Sequence, residues 1–260
     1  MSSVTICMMV RDDLDSLKYS LPNALEFGDE VHVLDTGSSD GTLEFLKDTA
    51  KTEPRLRVLI APPAIIPSYG FAVARNLIGV YATTDWLHYL DADERISSPA
   101  YREILDFAVQ PVIEITTLTY DKNDQADTTS WDTIRATAGG TMRERHRRIY
   151  RRDSGVKWGG YIHEEPFLGV VNAARLCQRG DIVHQHFKHY RPREGRQIKN
   201  LRYAWMIKRA IDHPVLQSYT NGYWYQEYYP LHKDEIDTNA AVYDELQPDG
   251  EILFRFPNEI

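Results

Sequence analysis

The run Trp86-Leu87-His88-Tyr89-Leu90-Asp91-Ala92-Asp93-Glu94 constrains this chain more than any other segment. An apolar stretch of strand character ends abruptly in carboxylates. Strands buried on both faces of a sheet read as near-continuous hydrophobic runs, and ligands of open α/β sheets sit at the carboxyl ends of such strands. Carboxylates placed there are costly without a positive partner. A hard divalent cation, Mg²⁺ or Mn²⁺, suits grouped oxygen ligands, and such ions hold phosphates in turn. The segment predicts a metal–diphosphate site at the rim of a sheet. By itself, Asp-x-Asp also fits a solvated turn after a strand.

The segments upstream supply the sheet. Val4 to Val10 is a short apolar run, and Val31 to Leu34 is another. Between them Leu14, Leu17, Leu21 and Leu25 recur at helical spacing. The second run ends in Asp35-Thr36-Gly37-Ser38-Ser39-Asp40-Gly41-Thr42, a turn able to cap the helix that Leu43, Phe45 and Leu46 begin. Strand, helix, strand, helix predicts a βαβ unit with a parallel sheet. Asp35 then lies at a strand's carboxyl end, where a nucleotide is expected; the alternative is a residue that only caps its turn. Gly37 and Gly41 permit a tight turn and close backbone approach. A third strand is predicted at Leu56 to Ile60. A loop marked by Pro62, Pro63 and Pro67 leads from it to a helix carrying Ala74-Arg75-Asn76. Arg75 reads either as facing a nucleotide or as an ordinary surface arginine.

Taken in order, Asp35 to Thr42, Ala74-Arg75-Asn76 and Asp85 to Glu94 resemble the family 2 glycosyltransferases of the GT-A fold, above all its small bacterial and viral members, including those that extend lipopolysaccharide cores. Arg147-Arg148-Ile149-Tyr150-Arg151-Arg152 resembles the family's arginine-rich strand. Gly155 to Glu164 resembles its His-Glu strand end, and Ile182-Val183-His184 and Lys199 to Tyr203 resemble later shared blocks. The joint pattern covers roughly the first four-fifths of the chain. Arg11-Asp12-Asp13 departs from it, standing where relatives commonly carry Asn-Glu.

The resemblance implies an α/β fold of GT-A, Rossmann-like type: a mostly parallel central sheet flanked by helices, with a helical C-terminal segment. Residues 1–195 would form the catalytic domain and 196–260 a helical extension packed on it. The implied activity is inverting, metal-dependent transfer of a sugar from a nucleotide-diphospho-sugar, with uridine the commonest base, to a hydroxyl of a glycan or lipid-linked glycan. Asp93 would bind Mn²⁺ or Mg²⁺ directly, and Asp91 would lie near the ribose and the metal shell. Asp35, Arg75 and Arg11 would hold the nucleotide. Glu164 would be the catalytic base, with Glu165 beside it as the other candidate. His184 would complete the metal shell, with His186 and His189 competing for that role.

Composition bounds the alternatives. The chain has 260 residues, a hydrophobic content of 42% and a formal net charge of −8. That balance disfavours a general polyanion binder. Charge is uneven, however, because Arg143, Arg145, Arg147, Arg148, Arg151 and Arg152 crowd one strand-like stretch. Those arginines either alternate toward solvent or meet diphosphate or an anionic acceptor. A hydroxymethylated-base DNA acceptor is the less favoured substrate reading, and a non-catalytic nucleotide- or carbohydrate-binding relic is the third. A nucleotidyltransferase would need a glycine- and lysine-bearing loop that Met8 to Asp15 lacks. No zinc-spaced Cys/His cluster, Walker loop, Gly-x-Gly-x-x-Gly or Gly-x-Ser-x-Gly is present.

Cys7 and Cys177 do not make a disulfide framework, so a reducing cytoplasm is expected. No signal peptide or membrane-length apolar run is evident, which leaves peripheral contact with the inner membrane face for a lipid-linked acceptor. Asp121 to Asp132 reads as a polar loop or hairpin tip and Ala138 to Thr141 as a flexible piece. Tyr219, Tyr223, Trp224, Tyr225, Tyr228 and Tyr229 read as an aromatic helix face packed on the core rather than a sugar-stacking surface.

Overall fold

The computed structural model describes residues 1–120, 141–169, 171–187, 193–213, 216 and 224–246. β1 (Val4–Val10), α1 (Leu14–Phe27), β2 (Glu30–Asp35), α2 (Thr42–Ala50) and β3 (Leu56–Ile60) form the expected parallel unit. α1 buries Leu17, Leu21 and Ala24, the face its leucine spacing predicts. The proline-marked segment after β3 is not wholly loop. Pro67 lies inside a short helix, α3 (Ile65–Tyr69), which runs through Gly70 into α4 (Phe71–Gly79).

Next come β4 (Trp86–Asp91), β5 (Glu94–Ser97), α5 (Tyr101–Phe107), β6 (Val112–Tyr120), β7 (Thr141–Arg151), β8 (Val156–Gly159), β9 (Glu165–Leu168), β10 (Val171–Asn172) and β11 (Cys177–His186). The main sheet has the order β3-β2-β1-β4-β7-β6-β11-β5. From β3 to β4 it is parallel. Beyond β4 it is mixed: β7 runs antiparallel to both β4 and β6, β11 is parallel to β6, and β5 is antiparallel to β11. A small antiparallel sheet, β10-β9-β8, stands beside it.

Helices cover both faces, as a parallel sheet requires. One core cluster joins α1, α2 and α5 to the sheet through Leu17, Leu46, Trp86, Leu90 and Leu105. The other joins α4 and the small sheet through Ile78, Tyr89, Tyr150 and Trp158. α6 (Arg193–Asp212) and α7 (Lys233–Leu246) belong to this second cluster through Trp205, Met206, Ile236 and Tyr243. Tyr229 is buried and Tyr228 packs against the same cluster. Tyr219, Tyr223 and the side chains of Trp224 and Tyr225 lie outside the described residues, as do 121–140 and His189. Cys7 and Cys177 are free thiols. No described helix is long and apolar enough to cross a membrane.

Gly70 couples this scaffold to the region of Glu164. Its φ is +84°, and a Cβ there would lie 2.6 Å from Tyr161 Cα. The next N–H, of Phe71, donates to the Tyr161 carbonyl at 2.9 Å. Gly70→Ala is therefore expected to destabilise by about 3 kcal/mol, from backbone strain and the forced retreat of Tyr161. Chemical denaturation measures the loss; a change below about 0.5 kcal/mol would show that the junction yields freely.

Candidate active site

The register places the key carboxylates at one edge. Val10 of β1 pairs with Asp35 of β2, and Met9 of β1 pairs with Asp91 of β4. Asp35 and Asp91 thus cap strands two places apart, about 10 Å at ordinary strand spacing. That span suits a nucleoside at one end and a diphosphate at the other. Asp35 is fully buried. Its Oδ1 accepts the Gly37 and Ser38 N–H groups, each at 2.9 Å. Oδ2 is buried with no hydrogen-bond partner among the described residues. Gly37, at φ +95°, lets the turn pass against Pro63. Arg11 Nη1 donates to the Pro63 carbonyl at 3.3 Å, which brings Arg11 to the same turn.

Asp91 and Glu164 share one guanidinium. Arg75 Nη2 donates to Asp91 Oδ1 at 3.0 Å, and its Nε donates to Glu164 Oε1 at 2.5 Å. The guanidinium carbon stands 5.0 Å from the Trp158 ring centroid. Arg148 Nη2 grips the other oxygen of Asp91 at 3.0 Å. Burial pushes the Asp91 carboxyl up, but Arg148 and Arg75 outweigh it and hold the group well below the usual carboxylate range. Burial likewise opposes the charge on Arg75, and Asp91 and Glu164 overcome that penalty. Arg75 is 6% exposed, so it is neither the surface arginine of one sequence reading nor wholly available to a nucleotide.

Arg148 reaches Asp91 because β7 is bulged. Pairing with β6 slips between Ile113 and Glu114, opposite Ile149 and Arg147, and Arg148 is the extra residue. A bulge re-aims side chains that strict alternation would send away. Arg147 and Arg148 consequently both line a cavity of about 340 Å³ with Arg75, Asp91, Glu164 and Glu165. Among the arginines of the stretch, Arg148 is the one whose role alternation could not reveal.

Glu164 does not end a strand. β8 stops at Gly159, and Glu164 sits in the turn that precedes β9. His163, before it, has a φ of +53°, a region costly for a residue with a Cβ and often found at functional sites. Burial pushes the His163 imidazole down to about 4, keeping it neutral next to Glu164. Glu165, the other base candidate, is held by Arg147 Nη2 at 3.2 Å and by Asn172.

Asp93 lies in the turn between β4 and β5. Its carbonyl accepts the Phe187 N–H at 2.9 Å, and its Oδ2 stands 3.5 Å from His186 Nε2. Thr119 Oγ1 lies 3.2 Å from the other ring nitrogen of His186 and orients it. Burial opposes charging this imidazole, yet Asp93 keeps its pKa above the usual histidine value. His184 is fully buried, with Nδ1 3.0 Å from Glu94 Oε2 and Nε2 2.7 Å from His88 Nε2. Both its nitrogens are engaged inside the protein, so His186 is the histidine presented to Asp93. Among the described residues, no group of three or more His, Cys, Asp or Glu is placed to hold a metal ion. The Asp93 carboxylate nevertheless suits a hard ion, since Mg²⁺ is commonly held by one or two carboxylates together with waters and substrate phosphates, and His186 stands beside it.

The family model described as Glycosyl transferase family 2 matches residues 3–167. The Ile182-Val183-His184 and Lys199 to Tyr203 blocks lie beyond that match. The SPbeta prophage-derived glycosyltransferase SunS of Bacillus subtilis is 26% identical over 176 residues, 63% of this chain and 35% of that protein. A TPR repeat-containing protein of Synechococcus elongatus is 36% identical over 111 residues, 43% of this chain and 25% of that protein. The chain thus spans about a quarter to a third of the curated relatives it matches. Among solved structures, S. aureus TarS in complex with UDP-GlcNAc gives a TM-score of 0.49 at 12% identity, covering 93% of this chain and 71% of that one. The mannosyltransferase PcManGT from Pyrobaculum calidifontis, in complex with GDP-Man and Mn²⁺, gives 0.48 at 15% identity, covering 96% and 76%.

Proposed function

This chain belongs to glycosyl transferase family 2, and on that premise we propose that it transfers a sugar, with inversion, from a nucleotide-diphospho-sugar to an acceptor hydroxyl on a glycan or lipid-linked glycan. The observation that carries the reading is the single guanidinium of Arg75 joining Asp91 at the nucleotide end to Glu164 in the same cavity. A transferase needs its leaving-group site and its base side by side, and this juxtaposition supports the reading. The name of SunS, a glycosyltransferase, supports the same class.

In this reading Asp35 and Arg11 hold the nucleoside, with uridine the first base to test. Asp93 and His186 hold Mn²⁺ or Mg²⁺, with Asp91 close by. The ion supplies charge neutralisation to the departing diphosphate. Glu164 accepts the acceptor hydroxyl's proton while that oxygen bonds to the anomeric carbon, and the anomeric carbon–phosphate oxygen bond breaks to release a nucleoside diphosphate. Arg75 orients Glu164 for that transfer. We assign catalysis to residues 1–195, with 196–260 as an extension. We place the enzyme in the cytoplasm, visiting the membrane face where its acceptor is lipid-linked.

A thermal-shift panel of nucleoside diphosphates, with and without Mn²⁺, tests the donor site. A ligand at a hundred times its Kd is expected to add about 2.7 kcal/mol, several degrees in Tm for a chain of this size. Asp93→Asn is expected to erase the Mn²⁺-dependent part of that shift and to stop turnover. No shift with any nucleotide would instead favour a non-catalytic relic, and an unchanged shift in Asp93→Asn would remove Asp93 from the metal site.

A further inference from the structure

The most unusual buried feature outside the cavity is a line of polar side chains running through an apolar cluster. Tyr101 OH lies 2.6 Å from His88 Nδ1, His88 Nε2 lies 2.7 Å from His184 Nε2, and His184 Nδ1 lies 3.0 Å from Glu94 Oε2. The rings of His88 and Tyr101 stack at 5.6 Å, and those of His88 and His184 at 4.9 Å. None of the four residues is more than 2% exposed. They come from four elements, α5, β4, β11 and β5, and Tyr101 belongs to the apolar cluster that also holds Trp86, Leu90, Ile96 and Ile182. Buried polar groups are costly in such a setting unless every one is satisfied, so a line of this length needs a reason.

The end of the line supplies one. Glu94 Oε2 also accepts the backbone N–H of Asp91 at 3.1 Å. That bond spans the turn Asp91-Ala92-Asp93, which presents both carboxylates of the proposed donor site. The His184 link ties the same carboxylate to the strand that carries His186 two residues later. The Phe187 N–H to Asp93 carbonyl bond closes the turn on its other side.

We infer that Glu94 is a positioning residue. It sets the Asp91–Asp93 turn against β11, and the buried line His184–His88–Tyr101 fixes Glu94 in turn. Glu94 itself touches no substrate. The inference rests on the proposed donor site for its functional consequence, but the held Asp91 amide is a property of the protein alone. Outer residues that orient ligands of a metal site change metal affinity by about 10- to 100-fold when replaced.

Two readouts test it on the full chain. Glu94→Ala is expected to speed hydrogen exchange at the Asp91 amide by about tenfold or more, and to raise the Mn²⁺ midpoint for nucleoside diphosphate binding by about tenfold. Glu94→Gln keeps a carbonyl acceptor and is expected to recover both to within about threefold. Wild-type exchange at Asp91 in Glu94→Ala, or an unmoved Mn²⁺ midpoint, overturns the inference. Should Glu94→Ala not fold, Tyr101→Phe deletes one hydroxyl and keeps the ring. It is expected to speed exchange at Asp91 measurably, and wild-type exchange there overturns the inference equally. A wild-type protein blind to Mn²⁺ and nucleotide would sink the donor site, while exchange at Asp91 would still decide whether Glu94 holds the turn.

Discussion

Glu164→Gln is expected to lower turnover by about a thousandfold while nucleotide binding with Mn²⁺ stays within about threefold of wild type. A positioned general base contributes about 10²- to 10⁴-fold, and an amide cannot take the acceptor's proton. The amide keeps the shape of the carboxyl and can still accept from Arg75 Nε, and Asp91 remains as Arg75's charged partner, so the donor end keeps its contacts at some cost in stability. Steady-state transfer, paired with calorimetric titration of the nucleoside diphosphate, separates the two effects. Near-wild-type turnover would move the base to Glu165. That carboxylate lines the same cavity but is committed to Arg147 and Asn172. A parallel loss of binding would mean instead that Glu164 serves the donor.

Arg75→Ala is expected to cost about 3 kcal/mol of stability, with a Tm drop on the order of 10 °C. Among the described residues, the replacement leaves Glu164, whose side chain is 10% exposed, without its cation, and Asp91 with Arg148 alone. Asp91 is more open to solvent, at 30%, which keeps the figure at the low end of the range for broken buried pairs. Turnover should fall with it, because the carboxylates it aligns would separate. Arg75→Lys is expected to rescue stability in part and turnover poorly. An ammonium offers a point charge in place of a rigid fork, so it cannot hold two carboxylates in one plane. Equal rescue of both by lysine would reduce Arg75 to a simple counter-charge.

Much of the scaffold was legible because its causes are local. The leucine spacing of α1, the apolar run of β1 and the Asp35–Thr42 turn report periodicity and turn chemistry that neighbours in sequence decide. The acidic end of β4 was legible for the same reason: an apolar strand cannot tolerate carboxylates in its middle, so they mark its edge. Two local readings failed for physical causes. The prolines predict loop through Pro67, yet proline is accepted in the first turn of α3, where its missing N–H costs nothing. The family resemblance implies a strand end at Glu164, yet the chain turns at Gly160 through His163 and strand pairing resumes only at Glu165.

What the sequence determined by itself was the family pattern, the parallel βαβ half and the edge of the sheet where the proposed site lies. These follow from residues a few positions apart. The tertiary structure alone decided which charges meet. Arg75 joins partners 16 and 89 positions away, and His184 joins partners 90 and 96 positions away. One bulge in β7 turns Arg148 inward, and the pairing of β11 with β5 selects His186 over His184 as the neighbour of Asp93. A sequence shows which residues can ionise or donate. Register and burial decide which of them face a common space, because a one-residue slip in a strand sends a side chain to the opposite face.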